Sequence, residues 1–345
     1  FDDYVTQQII HSTLKYADSA KDRLTASYNK FSKCPMTTEE LFRFIGALIL
    51  LGIHGVQNHR FAWSITKAQY MIRLSELLSC ERFELIGTFL HLVTPEEEES
   101  LSGSKLKKIL PIHNYIKAKC SDLYQPCRSL SIDERMVKSK ARTQFRQYIR
   151  NKPTKWGFKY WVLADVTGYT VDFDLYIGKG GTVSSNGLAY DVVMKLLQPY
   201  WFQGYEVFFD NFYTSPILLQ DLVSYEVVAT GTLNVTRKEV PREVSAMKQY
   251  VEKCTRGVGY YYRQPNSNIT YCCWHDTKTV TLASTAYPGH TENTVSRRVK
   301  DPHTNRSITT EVPCPLMLYQ YNQKMGGVDK SDQFISYHKV LRKTV

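Results

Sequence analysis

Along the first 130 residues, apolar positions recur three and four apart, the spacing of one helical face; from Leu130 the recurrence changes to every second residue. Thr37-Thr38-Glu39-Glu40 has capping-box spacing and opens an apolar helix that should run to about Leu51. Phe83, Ile86, Phe89 and Leu90 share a face and predict a second helix. The acidic run Glu96–Glu99, followed by Ser100–Ser104, reads as a solvated loop.

Beyond residue 130, Leu130 and Ile132 alternate with polar neighbours and lead into Asp133. Trp156 to Ala164 predicts a further strand, the turn Val166-Thr167-Gly168 follows, and Val171, Phe173, Leu175 and Ile177 repeat every second residue, so the two strands form a hairpin. A loop through Gly178, Gly180 and Gly181 precedes a helix expected over 187–198, with Leu188, Val192, Met194, Leu196 and Leu197 mostly inward. Glu206-Val207-Phe208-Phe209 is an apolar strand ending at Asp210. Ser215-Pro216 starts a helix, since proline suits the first helical position, and Val227–Thr230 is one more strand. Residues 237–308 are polar and basic, with little pattern beyond Thr279–Thr285, and read as an insertion; the chain restarts near Pro315, with Gly326-Gly327 ahead of a helix from about Val328.

A chain of 345 residues has room for two or three domains, and at 43% hydrophobic and 22% charged it is too apolar to be disordered. The net charge of +11 favours a polyanionic partner, nucleic acid before an anionic membrane surface. No membrane span is expected, because the apolar run Ala47–Ile53 falls far short of the roughly 20 residues required. The chain begins at Phe1 without a signal pattern and reads as a piece of a longer protein. Eight scattered cysteines make no C-x-x-C pair, which argues for reduced thiols and against a zinc cage; adjacent Cys272 and Cys273 should point to opposite faces of a strand.

The candidate chemistry is carboxylate chemistry. Asp133 and Asp210 each follow a hydrophobic strand pattern, and Asp329 opens a late helix with Asp332 three residues on. A βββαβα order sets the ends of the first and fourth strands side by side. Carboxylates gathered there raise one another's pKa unless a cation is present. Hard oxygens suit Mg²⁺ or Mn²⁺, and two such ions about 3.5–4 Å apart activate an attacking oxygen and stabilise a leaving one in phosphodiester chemistry. Spacing alone leaves open whether the three aspartates share a metal, because Asp165, Asp172 and Asp174 also occupy strand-like positions. Asp172 and Asp174 mimic a nucleotide-sugar D-x-D site, but strict alternation with apolar residues favours the solvent side of a hairpin.

From Arg135 to Lys159 there are nine Lys/Arg and no Asp/Glu. Lys138, Lys140, Arg142, Arg146, Arg150, Lys152 and Lys155 are the expected phosphate contacts, while Trp156 and Phe158 are expected in the core. The glycines near 178–181 lack a G-K-[ST] ending, and no nucleophile elbow is present. His113, His275, His290 and His338 read as structural or surface residues.

At these residues the sequence resembles the piggyBac family of transposases and its domesticated relatives. The blocks are SIDERMV (131–137), QYIRNKPTKWGFKYWVLAD (147–165), FFDNFYTS (208–215), GTLNVTRKEVP (231–241) and YNQKMGGVDKSDQ (321–333), with weaker likeness in ERFELIGTFLHLV (81–93) and TEELFRFIGALILLGI (38–53). The resemblance implies a mixed α/β (α+β) chain: a mainly helical dimerisation and DNA-binding domain over 1–129, an RNase H-like catalytic domain over 130–236 and 309–345, and an insertion domain over 237–308. It implies catalytic Asp133, Asp210 and Asp329, with Asp332 joining them at the metal. The implied cofactor is Mg²⁺, replaceable by Mn²⁺, as two ions. The implied activity is cut-and-paste transposition through nicking, hairpin formation and joining at TTAA, by a homodimer on double-stranded DNA in the nucleus. The family's C-terminal helical continuation and cysteine-rich module do not follow Val345. The alternative is a domesticated DNA-binding or chromatin protein that no longer transposes.

Overall fold

The computed structural model describes residues 2–55, 59–63, 74–101, 106–139, 143, 145–150, 152–178, 183–287, 289, 293–300 and 307–337. The chain divides into two compact units, one formed by Phe1–Asp122 with the residues from Gln333 onward, the other by Leu123–Asp332.

The first unit is helical: α1 (Asp3–Ser19), α2 (Thr25–Phe31), α3 (Thr38–His54), α4 (Leu74–Leu77), α5 (Cys80–Phe89), α6 (Pro95–Ser100) and α7 (Leu110–Asp122). Thr37 caps α3 by accepting the Glu40 N–H, as its spacing predicts. Phe83, Ile86 and Phe89 of α5 are buried in one core with Phe44, Leu51 and Ile9. Arg82 on α5 grips both carboxylate oxygens of Glu40 at 2.6 Å and fixes α5 against α3. The acidic run is a correction to the sequence reading: it forms α6, not a loop. Thr94 and Glu97 close a reciprocal capping box and Pro95 sits in the first turn, where acidic side chains also favour the helix dipole.

The second unit is a mixed sheet between helices. Its strands are β1 (Ser129–Lys138), β2 (Arg146–Tyr148), β3 (Trp156–Asp165), β4 (Thr170–Leu175), β5 (Glu206–Phe209), β6 (Val228–Thr232), β7 (Gly259–Arg263), β8 (Thr270–His275) and β9 (Thr279–Ser284). Strands β10 (Asn293–Lys300) and β11 (Ser307–Cys314) make a separate hairpin. The helices are α8 (Leu188–Leu197), α9 (Pro216–Ser224), α10 (Arg242–Val251), α11 (Leu316–Lys324) and α12 (Gly327–Tyr337). The strand order is β2-β3-β1-β5-β6-β9-β8-β7, with β4 on β3; β1–β5 and β5–β6 are parallel and the other pairs antiparallel. The stretch 237–308 thus contributes α10 and three strands that extend the same sheet.

One face of the sheet (Leu130, Ile132, Trp161, Leu163, Val207, Phe209) packs under α8, α9 and α10. On the other face, α11 covers Cys272, Trp274 and Leu282, and Val328 of α12 covers Val162 and Ala164. Cys272 and Cys273 fall on opposite faces as expected, and among the described residues no disulfide joins any of the eight cysteines. Two expectations are corrected here. Asp172 and Asp174 do not face solvent, because α8 covers that side of the hairpin: Asp172 is buried, and Asp174 pairs with Lys195 of α8 at 2.5 Å. Trp156 is not core but 52% exposed, since it sits at the start of β3 beside the short strand β2. Phe158, two residues on, is half-buried against the Phe145 ring. No helix among the described residues is long and apolar enough to cross a membrane.

Candidate active site

The parallel register of β1 and β5 runs from Ser129↔Glu206 to Ile132↔Phe209 and stops, whereas β1 continues alongside β3 to Lys138↔Gly157. The next position on each parallel strand is an aspartate: β5 ends just before Asp210, while Asp133 stays in β1 opposite Val162 of β3, so the two stand as neighbours at the strand spacing of about 4.8 Å. Where the parallel pairing stops, two adjacent strands thus each present a carboxylate, and these make a pair. Carboxylate oxygens of Asp133, Glu134 and Asp210 lie within 4.8 Å of one another.

Each carboxylate is fixed by its own loop or strand. Asp133 Oδ1 accepts the Glu134 N–H at 2.7 Å. Asp210 Oδ1 accepts the Phe212 N–H at 2.8 Å, and its carbonyl accepts from the Thr214 N–H and, at 2.8 Å, from the Thr214 hydroxyl, so the loop after β5 folds back over the aspartate. Arg237 donates to the carbonyls of Asn211 and Phe212 and braces the same loop. Gly231 is required beneath it, because a Cβ there would meet the Phe209 carbonyl at 2.7 Å and the Thr214 hydroxyl closer still.

Two lysines of the basic strip turn inward. Lys152 Nζ lies 3.3 Å from Asp133 Oδ2 and 3.0 Å from the Glu134 carbonyl. Lys159 Nζ lies 3.1 Å from Glu134 Oε1 and 3.6 Å above the Trp161 ring, on which Phe212 stacks at 5.6 Å. Burial pushes the Asp133 carboxyl up to about 6, aided by the Glu134 carboxyl beside it and opposed by Lys152 and the Glu134 N–H. Burial also raises Asp210, opposed by the Phe212 N–H and reinforced by the charge of Asp133. For Lys152 the attraction of Asp133 and Glu134 outweighs burial and the net shift is upward; for Lys159 burial wins and the shift is downward. Two partly buried ammonium groups thus offset part of the charge of three carboxylates within one site.

The third aspartate arrives on α12. Gly327 lets the helix start against the sheet, since a Cβ there would fall 2.5 Å from Ser131 Oγ and closer to the Asp165 carbonyl. Asp329 is exposed in the first turn of α12, close enough that its charge acts on Lys152. Asp332 is engaged by Arg135, whose guanidinium also reaches Ser331 at 2.7 Å and Thr170 at 3.2 Å. The close group is therefore Asp133, Glu134 and Asp210, with Asp329 at its electrostatic margin and Asp332 held by an arginine. Sequence reasoning missed Glu134, Arg135, Lys159, Arg237 and Tyr213. The last is 1% exposed with no hydrogen-bond partner for its hydroxyl among the described residues, and its ionisation is opposed by burial and by Glu134, Asp133 and Asp210.

Of the other predicted phosphate-binding residues, Lys138, Arg150 and Lys155 are exposed, and the half-buried Arg146 holds its guanidinium 4.9 Å over the Trp156 ring. Lys140 and Arg142 lie outside the described residues, as do His290 and His338. His113 is buried, and His275 bonds Thr279 at 3.1 Å. Asp165 organises the β3–β4 turn by accepting from Tyr124, Thr167 and Tyr169. A second donor group in the helical unit, His59, Cys80 and Glu84, is accounted for as an ion-pair network: Glu84 takes both Arg60 (2.6 and 2.9 Å) and His59 (2.9 Å).

A family model described as Transposase IS4 matches residues 1–345. The human PiggyBac transposable element-derived protein 3 is 29% identical over 94% of this chain and 55% of the relative, and the human PiggyBac transposable element-derived protein 2 is 27% identical over 99% and 55%. The chain spans about half the length of these curated relatives. Among solved structures, the cryo-EM structure of a piggyBac transposase synaptic complex with hairpin DNA superposes with a TM-score of 0.82, at 23% identity, over 100% of this chain and 68% of that one. That likeness establishes the fold, a mixed α/β sheet with a helical N-terminal region. With a family match over its whole length, the chain belongs to the transposase IS4 family and, within it, to the piggyBac type.

Proposed function

We propose that this chain carries the catalytic unit of a cut-and-paste DNA transposase, which hydrolyses phosphodiester bonds at transposon ends and joins the freed 3′ ends to TTAA target DNA. The observation that carries the reading is the register of β1 and β5, which brings Asp133 and Asp210 side by side with Glu134 in an all-oxygen group. Family membership implies a divalent metal, and the residues fit one: the donors are hard oxygens within 4.8 Å of one another, with a buried, unpartnered Tyr213 hydroxyl in the same electrostatic neighbourhood. Asp133 and Asp210 would hold Mg²⁺, or Mn²⁺ in its place, with Asp329 drawn in from α12. Such ions, two in the proposed scheme, polarise the phosphate and stabilise charge on the oxygens that enter and leave.

The protein's part is position and charge. The loop after β5 fixes the Asp210 rotamer, Lys152 and Lys159 offset the carboxylates before DNA arrives, and the buried Trp161 and Tyr213 rings close one side of the site, with the more exposed Phe212 stacked on Trp161. The exposed Lys138, Arg150 and Lys155, with the half-buried Arg146, supply phosphate contacts to double-stranded DNA, which a homodimer in the nucleus would hold. The names of the human relatives, transposable element-derived proteins, favour a second reading in which the fold binds DNA without moving an element. Incubation of the full-length protein with Mg²⁺ and DNA carrying its cognate ends tests both. Metal-dependent nicking that D210N abolishes, at least about 1,000-fold down without loss of fold, is the expected result. Absence of nicking with undiminished DNA binding would hand the assignment to the domesticated reading.

A further inference from the structure

The guanidinium of Arg135 spends its donors on one region. Nε bonds Asp332 Oδ1, Nη2 bonds Ser331 Oγ at 2.7 Å, and Nη1 bonds Thr170 Oγ1 at 3.2 Å, while Thr170 and Ser331 close the ring at 3.0 Å. Arg135 lies two residues beyond Asp133 on β1, on the same face of the sheet. Asp332 lies about one helical turn beyond Asp329 on α12. Ser331 is 5% exposed, so the clamp is closed off from solvent at its centre.

We propose that Arg135 is a positioning residue that pins the second turn of α12 to β1, and that Asp332 is the anchor of this clamp and not a ligand of the metal. The proposal rests on the reading of Asp133, Asp210 and Asp329 as the metal site. The contrast with Lys152 carries it. Asp133 is met by one flexible ammonium at 3.3 Å, which a divalent cation displaces readily. Asp332 is met by a planar fork held at two further points, so coordination by Asp332 would strand a mostly buried guanidinium. Asp329 then lies between two fixed points, the close approach at Gly327 and the clamp at 331–332, which set its distance from Asp133.

Mn²⁺ binding to the full chain, followed by electron paramagnetic resonance of the free ion, tests this on wild type, R135M, D332N and the double variant, with thermal melts confirming the fold. A clamp predicts that R135M and D332N each weaken Mn²⁺ binding by about 10-fold, the loss typical of a residue that orients a ligand, and that the double variant is no worse than either. Hydrogen exchange at 328–332 should quicken in R135M before any metal is added. If R135M binds Mn²⁺ as tightly as wild type or tighter, and only D332N is impaired, Asp332 is a ligand and the proposal falls. Should R135M not fold, R135K serves: it keeps the charge without the fork, and unchanged Mn²⁺ affinity with unchanged exchange would overturn the clamp. Undiminished Mn²⁺ binding by D133N and D210N would instead overturn the metal-site reading itself.

Discussion

Asp133 combines burial with a neighbouring carboxylate, and both disfavour its charge. Its carboxyl is raised from 3.8 to about 6, so the folded protein holds this proton more tightly than the unfolded chain does. The stabilisation from this group is therefore complete below about pH 3.8 and lost as pH rises through about 6. D133N removes the slope. In urea titrations with chelator present, D133N should gain on wild type by on the order of 1–3 kcal/mol between about pH 4 and about pH 7. A constant difference across that range would mean that Asp133 titrates as an ordinary surface carboxylate. The aspartates themselves were legible from the sequence because each closes an apolar strand or opens a helix. Their partners were not. Lys159 meets Glu134, and Arg135 meets Asp332, only once the β1–β3 register and the docking of α12 are known.

Among the elements, α12 depends on a single small residue where it meets the sheet. A methyl group at Gly327 would overlap the Asp165 carbonyl and Ser131 Oγ, both immobile parts of the sheet. G327A should cost about 1–3 kcal/mol through overpacking and lower DNA cleavage more than it lowers DNA binding, read by calorimetry and by parallel cleavage and binding assays. Equal stability and cleavage would show that the helix can shift without consequence. Strand β4 was readable from its period of two, and β3 and β5 from short continuous runs of aromatic and branched apolar residues bounded by turn signals. Of strand β8 only the Cys272-Cys273 pair was read as strand: Thr270–Trp274 is buried on both faces and shows no alternation that would give its extent. Strand β10 alternates in exposure, but only Val295 and Val299 on its less exposed side are apolar, too few for a hydrophobic signal. The acidic stretch at α6 was misread because its charge run outweighed a Thr-Pro-Glu-Glu start in plain view.

Across the whole molecule, the net charge of +11 is unevenly used. Arg135, Lys152 and Lys159 turn into the carboxylate site, which leaves Lys138, Arg150 and Lys155 exposed along the same stretch. If these face DNA, the double reversal R150E/K155E should flatten the dependence of log Kd on log salt by roughly 2, at about 0.9 for each phosphate no longer neutralised. An unchanged slope would place the phosphate-binding surface elsewhere on the chain.

The clamp between β1 and α12 also has a meaning in time. Arg135 and Ser331 are 196 residues apart along the chain, so the partner of the first strand is almost the last part of the unit to be made. At about 5–20 residues per second, a ribosome needs roughly 10–40 s to travel from one to the other. Throughout that interval the nascent chain carries Asp133 but no α12 to complete the carboxylate set. On the proposed reading, a polypeptide that cuts DNA would therefore stay inert until this whole unit has been synthesised, with chain order acting as a safety catch.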